Sequence, residues 1–231
     1  MDGFSDWVAE LPYDRALELA GVFFAALSGG LAGVRKSFDV FGVLVLSWAV
    51  GLGGGVIRDL LIGSTPPVGI SNWQFVTTAL AAGIVIFFFH PSVARMRRTV
   101  IILDAWALGF FVLLGTTKGL ASGAGPLASV MVGVLTGIGG GMLRDILVGE
   151  VPLVLADRQL YAIPAFLGAG VTAGLWWAGW HTLWTQIAVV LLVSGIRLVS
   201  LRLGWVVPSA GPGWSGRWGA RDQSSRERMG R

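Results

Sequence analysis

The chain has no cysteine and only two histidines, His90 and His181, far apart in sequence. That excludes a disulfide framework, a thiolate metal site and a cysteine nucleophile. It also leaves a zinc site without enough imidazole ligands. Charge is scarce. Only 13% of the 231 residues are Asp, Glu, Lys or Arg, where a soluble domain carries about a quarter. With 54% hydrophobic residues and a mean hydropathy of +0.73, too few polar side chains remain to cover a globule. The composition is that of an integral membrane protein. Neither HExxH nor GxSxG occurs, so no enzyme is expected. No S4-like row of arginines occurs either, and no gating stimulus can be read.

The start, "MDGFSDWVAELPYD", is acidic and lacks the basic n-region of a signal peptide. Residues 1–15 form an N-terminal segment in which Phe4, Trp7, Val8 and Leu11 suit a short interfacial helix. The pI near 10.3 does not indicate nucleic acid as a partner, because the basic residues sit in the tail "GRWGARDQSSRERMGR" and at the edges of apolar segments. Membrane lipid is the expected partner, and no soluble protein partner is evident. The tail, 208–231, is rich in Gly, Ser and Arg and reads as disordered.

A membrane-spanning helix needs about 20 apolar residues. Seven segments qualify, at 16–33, 40–62, 74–90, 100–117, 126–148, 160–178 and 183–203, joined by stretches rich in Pro, Gly, Ser and charge. With the N-terminus outside, the inner side holds Arg35, Lys36, Arg95, Arg97, Arg98, Arg158 and the tail, and the outer side only Arg15 and Lys118. This bias orients the chain N-out and C-in. Trp73, Trp176, Trp177, Trp180 and Trp184 fall near segment ends, as in an aromatic belt.

"GLGGGVIRDLLIG" (51–63) and "GIGGGMLRDILVG" (137–149) repeat one another. A shift of 86 residues lays Gly51 on Gly137, Gly53, Gly54 and Gly55 on Gly139, Gly140 and Gly141, and Arg58 and Asp59 on Arg144 and Asp145. Upstream, Glu18 falls on Asp104, Phe24 on Phe110, Gly29 on Gly115 and Gly33 on Gly119. Each copy, 16–90 and 100–178, holds three segments. The second therefore enters the membrane from the opposite side, and 183–203 is a seventh helix added to a 3+3 inverted repeat. Inverted repeats with broken helices in matching positions are the pattern of permeation proteins.

Each glycine costs a helix interior about 1 kcal/mol relative to alanine, so three together make a weak point where a helix can kink and expose carbonyls to a cation. The other use of small residues is close helix packing. Arginine within a span needs an interior partner. Arg58 and Asp59 are adjacent, so they point in different directions and each needs its own partner. Counting levels along the segments suggests two pairs, Glu18–Arg58 toward the outer face and Asp104–Arg144 toward the inner. They act as gates or vestibule charges, or as static pairs that hold helices in register. Reversing both charges of a pair should restore folding and conduction. Asp59 and Asp145 fall toward opposite faces, which argues against shared acid chemistry. Lys118, at the outer end of the fourth segment, tunes ion entry or is an orientation charge. Ser28, Ser47, Thr116, Thr117 and Thr136 line a polar path or bond to their own helices.

Two GGGxxRD motifs, one in each three-helix repeat, followed by a seventh helix, resemble the prokaryotic members of the trimeric intracellular cation (TRIC) channel family. Some of these carry the older labels putative glycine transporter and uncharacterised membrane protein. The resemblance covers about residues 16–203. It implies a homotrimer in the bacterial inner (plasma) membrane, with a pore inside each protomer that conducts potassium and kinks at Gly53–Gly55 and Gly139–Gly141. It implies no cofactor and no fixed metal, only potassium in transit near the hinges. The alternative function is a secondary transporter of a small solute such as glycine, since broken inverted helices also suit alternating access.

Overall fold

The computed structural model describes residues 12–156 and 161–205, and among them the secondary structure is helical. The segments expected at residues 1–11 and 206–231, and Arg158, lie outside the described residues. Four helices open the chain: α1 (Pro12–Arg35), α2 (Val40–Leu61), the single turn α3 (Val68–Ser71) and α4 (Trp73–Phe88). The next four are α5 (Val93–Ala121), α6 (Pro126–Leu147), the single turn α7 (Leu153–Ala156) and α8 (Ala162–Trp177). They repeat the order of two long helices, one turn and one 16-residue helix. α9 (Leu183–Leu203) follows. α1, α2, α5, α6 and α9 are long and apolar enough to cross a membrane; α4 and α8 are shorter apolar helices.

The helices depart from the hydropathy reading at several points, α1 starting at Pro12 rather than 16 and α5 ending at Ala121 rather than 117. α5 begins at Val93 rather than 100, because Arg95, Arg97 and Arg98 occupy its first turns. Charge marks where the apolar slab ends, and a helix can continue beyond it. The connections expected as loops hold the single turns α3 and α7.

α1 packs on α2, α4 and α5; α6 packs on α2, α5 and α8; α9 lies against α5 and α8. The apolar interior falls into two clusters. One joins α1, α2 and α4 with part of α5 around Val43, Val50, Phe75 and Phe111, and the other joins α5, α6, α8 and α9 around Leu108, Val112, Ala165 and Val193. Phe24 bridges them, stacked on Trp106 and Phe110 with ring centroids 6.0 and 5.9 Å away. Apolar side chains also cover the outside. Phe41, Phe88, Leu127, Trp73, Trp177, Trp180 and Trp184 are exposed, and on a protein without a lipid solvent so much apolar surface would be an aggregation site.

Candidate functional site

The glycine triplets lie where α2 crosses α6, and α-helix runs unbroken through both. The exposed carbonyls expected of an unwound segment are therefore not there. The contact is instead a close approach of backbones. A methyl at Gly54 would run into the Thr136 carbonyl oxygen, and one at Gly140 would stand 2.8 Å from that of Val50. Gly53 faces the Leu143 side chain, and Gly139 faces that of Ile57. Under the 86-residue shift Val50 and Thr136 are equivalent, as are Ile57 and Leu143. Each contact thus recurs with its partners exchanged, as at an isologous interface. Gly55 is different, with nothing nearer to its would-be methyl than Arg58 Nη2 at 3.9 Å.

Beside the crossing stand two buried ionic clusters. Arg58 and Arg144 are each 1% exposed. Arg58 Nη1 donates to Glu18 Oε1 at 2.8 Å, and Arg144 Nη1 to Asp104 Oδ1 at 2.7 Å. Both arginines also curl back on the next residue. Arg58 Nε reaches Asp59 Oδ1 at 2.8 Å, and Arg144 Nε reaches Asp145 Oδ1 at 2.9 Å. The expectation that adjacent Arg and Asp need separate partners is therefore corrected. A guanidinium on three methylenes spans the angular gap between neighbours on a helix. The free carboxylate oxygens bind backbone: Val68 N–H donates to Asp59 Oδ2 and Leu153 N–H to Asp145 Oδ2, each at 2.8 Å. Each Asp so fixes the turn, α3 or α7, that follows its long helix. This also removes the simple charge-reversal test, because a carboxylate at position 58 or 144 would face Asp59 or Asp145.

The clusters differ in their remaining members. Lys118 Nζ donates to both oxygens of Glu18, 2.9 Å from each, so α5 is tied to α1 at that end. At the other end Ala32 is the equivalent residue, and Asp104 Oδ2 instead accepts from the Tyr161 hydroxyl at 2.7 Å. Arg144 Nη1 also donates to Ser28 Oγ at 2.8 Å. Arg197 of α9, fully buried, lies over the Tyr161 ring with 4.6 Å from its Cζ to the centroid. The first cluster borders a small crevice lined by Gly55, Val68, Gly69, Phe75 and Phe111. In the second repeat Leu155 and Tyr161 replace Gly69 and Phe75, and Arg197 comes from α9, outside the repeat.

Ser28, Tyr161 and Arg197 belong to the second cluster, but neither Tyr161 nor Arg197 stands out in the repeat motif. The signals were a lone arginine within "LLVSGIRLVS" and one of only two tyrosines, 86 residues after Phe75. Thr116 and Thr136 do not line a path: each hydroxyl donates to the carbonyl one turn back, Val112 at 2.8 Å and Val132 at 2.6 Å. Tyr161→Phe leaves the ring under Arg197 but removes a hydrogen bond to a charged partner, and is expected to cost about 1.5–3 kcal/mol, read as a lower unfolding midpoint in detergent.

A third polar group joins the starts of α1 and α9. Gln186 Nε2 donates to Asp14 Oδ1 at 2.9 Å and stands 2.8 Å from His181 Nε2. The amide donates, so that ring nitrogen must accept, which requires a neutral imidazole. Burial holds the His181 pKa below 6.5, partly opposed by the Asp14 carboxylate. The unfolded chain then binds the proton more readily, so stability falls as pH drops below 6.5 through the lowered folded value. Unfolding midpoints between pH 7.5 and 5.5 (about the range where an imidazole titrates) should fall for the natural protein and less for His181→Gln.

A family model described as glycine transporter matches residues 15–91 and again 101–177. A UPF0126 membrane protein of Deinococcus radiodurans is 42% identical over 193 residues, covering 82% of this chain and 88% of its own length. The UPF0126 inner membrane protein YadS of Escherichia coli K12 is 31% identical over 84% of this chain and 94% of its own. Among solved structures, the TRIC trimeric intracellular cation channel orthologue from Rhodobacter sphaeroides superposes with a TM-score of 0.79 at 32% identity. That match covers 84% of this chain and all of the other.

Proposed function

Because this chain belongs to the family of UPF0126 membrane proteins and prokaryotic TRIC channels that the glycine transporter model matches twice, we propose that it is a monovalent cation channel, selective for potassium. Its likeness to the Rhodobacter sphaeroides channel orthologue over the whole of that chain is the observation that carries the reading. Each protomer of a homotrimer holds its own pore. The five long helices, together with the shorter α4 and α8, span the membrane N-out and C-in, as a 3+3 inverted repeat and an added α9. The reciprocal contacts of Gly54 with Thr136 and of Gly140 with Val50 support the twofold relation between the repeats. Domain limits of 16–90, 100–178 and 183–203 follow.

In this reading the Glu18–Arg58–Asp59–Lys118 cluster guards the outer mouth and the Asp104–Arg144–Asp145 cluster the inner. Lys118 places an ammonium on Glu18 where an entering cation would sit, so it sets the ease of entry. Gly53 and Gly54 meet α6, and Gly139 and Gly140 meet α2, across a contact with no spare room, with Gly55 and Gly141 beside it, so conduction requires α2 and α6 to part or bend there. Polar groups uncovered by that motion replace part of the ion's water shell. Potassium passes as substrate and no cofactor takes part. The carrier alternative has behind it the description of the family model, while the solved relatives of similar length are channels.

Liposome flux separates the two. A channel dissipates a potassium gradient without any coupled solute, at rates proportional to the gradient. Saturable glycine uptake with counterflow, and no potassium flux from the same vesicles, overturns the proposal.

A further inference from the structure

An ionic contact away from the two buried clusters joins the inner ends of α1 and α6. Glu150, in the link between α6 and α7, is held by two cations, one from the last residue of α1 and one from the turn that follows it. Arg35 Nη2 lies 2.7 Å from Oε2, and Lys36 Nζ lies 2.9 Å from Oε1. Both sides are stiff. Glu150 N–H donates to the Asp145 carbonyl at 2.8 Å, closing a turn in which Gly149 takes a left-handed φ of 70°. Beyond it, Asp145 holds Leu153 N–H at 2.8 Å. On the other side Phe38 N–H donates to the Gly33 carbonyl at 3.0 Å and Ser37 sits at φ 59°.

The contact is one-sided. The residues equivalent to Arg35, Lys36 and Glu150 in the other repeat are Ala121, Ser122 and Ser64, which cannot pair as ions. It also does not stand alone. Ser28, Ala32 and Arg35 are spaced four and three apart on α1, so they share a face. That face meets Arg144 at Ser28 and Glu150 at Arg35. α1 of the first repeat is thus joined to α6 and its following turn at two levels, with the buried Ala32 between them.

We propose that Arg35, Lys36 and Glu150 form a latch that holds the inner mouth shut, and that opening toward that side requires its release. The outer mouth, closed by Lys118 on Glu18, has Ala121, Ser122 and Ser64 at the equivalent positions, so the two ends of the path open by different contacts. The gating role rests on the channel reading; the latch as a conformational device does not. An exposed pair of this kind is worth little to overall stability, which suits a contact that must break in use.

The absence of cysteine makes the test clean. Ala32→Cys places the only thiol of the chain beneath the latch. Its rate of labelling by a charged maleimide is measured in nanodiscs, with the natural Glu150, with Glu150→Gln, with Glu150→Lys, and with Lys36→Glu plus Glu150→Lys. Labelling should rise about threefold in Glu150→Gln, the scale of a partly exposed pair. It should rise further in Glu150→Lys and fall back toward the starting rate in the double exchange. Open probability in bilayers should follow the same order. Equal labelling in all four overturns the latch, whatever the currents do. A graded rise in labelling with no current from any form, the natural one included, leaves the latch standing and removes the channel reading. Should Ala32→Cys fail to fold, Lys36→Cys with Glu150→Cys serves. Its disulfide should lower the current and reduction should restore it, and an unchanged current after full cross-linking counts against the proposal.

Discussion

Gly54→Ala is expected to cost the protein its folded core, while Gly55→Ala, one residue away, leaves it intact or slightly more stable. The methyl at 54 meets the Thr136 carbonyl oxygen, part of the backbone of α6. Backbone cannot rotate aside as a side-chain tip can, so the two helices must move apart along their whole contact. Overpacking of this kind costs about 1–3 kcal/mol or more, and here the displaced helices also carry Arg58 and Arg144. The methyl at 55 has 3.9 Å to its nearest neighbour, the Arg58 guanidinium. There the change keeps only the gain in helix propensity, up to about 1 kcal/mol. Gly140→Ala, against Val50 O at 2.8 Å, should resemble Gly54→Ala. Unfolding midpoints followed by size-exclusion in detergent would show the ranking. If all positions in the triplets behaved alike, chain flexibility rather than close approach would be their purpose.

The second large effect is expected at Arg144. Arg144→Met strips the cation from Asp104 and Asp145, both buried within α5 and α6. Removing one member of a buried ion pair costs about 3–5 kcal/mol, because the partner keeps its charge without compensation. Adding Asp104→Leu should recover much of that loss, since an apolar pair of similar volume is often neutral. Recovery should stay incomplete, because Asp145 keeps one oxygen on Leu153 N–H and loses its guanidinium from the other. A double variant no more stable than Arg144→Met would mean that Asp104 is held mainly by the Tyr161 hydroxyl. The stability of Tyr161→Phe separates these contributions.

Much of this was legible in the residues, and the reason lies in the repeat. A shift that keeps Glu18 on Asp104 and Arg58 on Arg144 equates positions three spanning segments apart, so the levels of charges could be counted without coordinates. Length and apolarity located the long helices for the same reason, since a slab of lipid imposes one dimension. What could not be counted was direction around a helix and the reach of a side chain. The return of Arg58 onto Asp59 depends on a flexible stem, which spacing alone does not describe. The glycines were ambiguous because weak helix propensity and close packing ask for the same residue. Only the carbonyls of Val50 and Thr136 opposite Gly140 and Gly54 decide between them. Arg197 was hidden because α9 lies outside the repeat, and Tyr161 because it breaks the repeat: the equivalent residue is Phe75. The Glu150 latch was hidden in the same way, behind Ser64. Where the two halves diverge, the two mouths acquire different chemistry.

The most direct measurement is single-channel recording of the purified protein in a planar bilayer under a potassium gradient. Step currents that reverse near the potassium equilibrium potential are expected, with replacement of Lys118 by methionine changing their amplitude or opening. Silence at every voltage from protein shown to be folded, alongside saturable glycine uptake by the same preparation, would contradict a conducting path and make the two ionic clusters substrate or coupling sites.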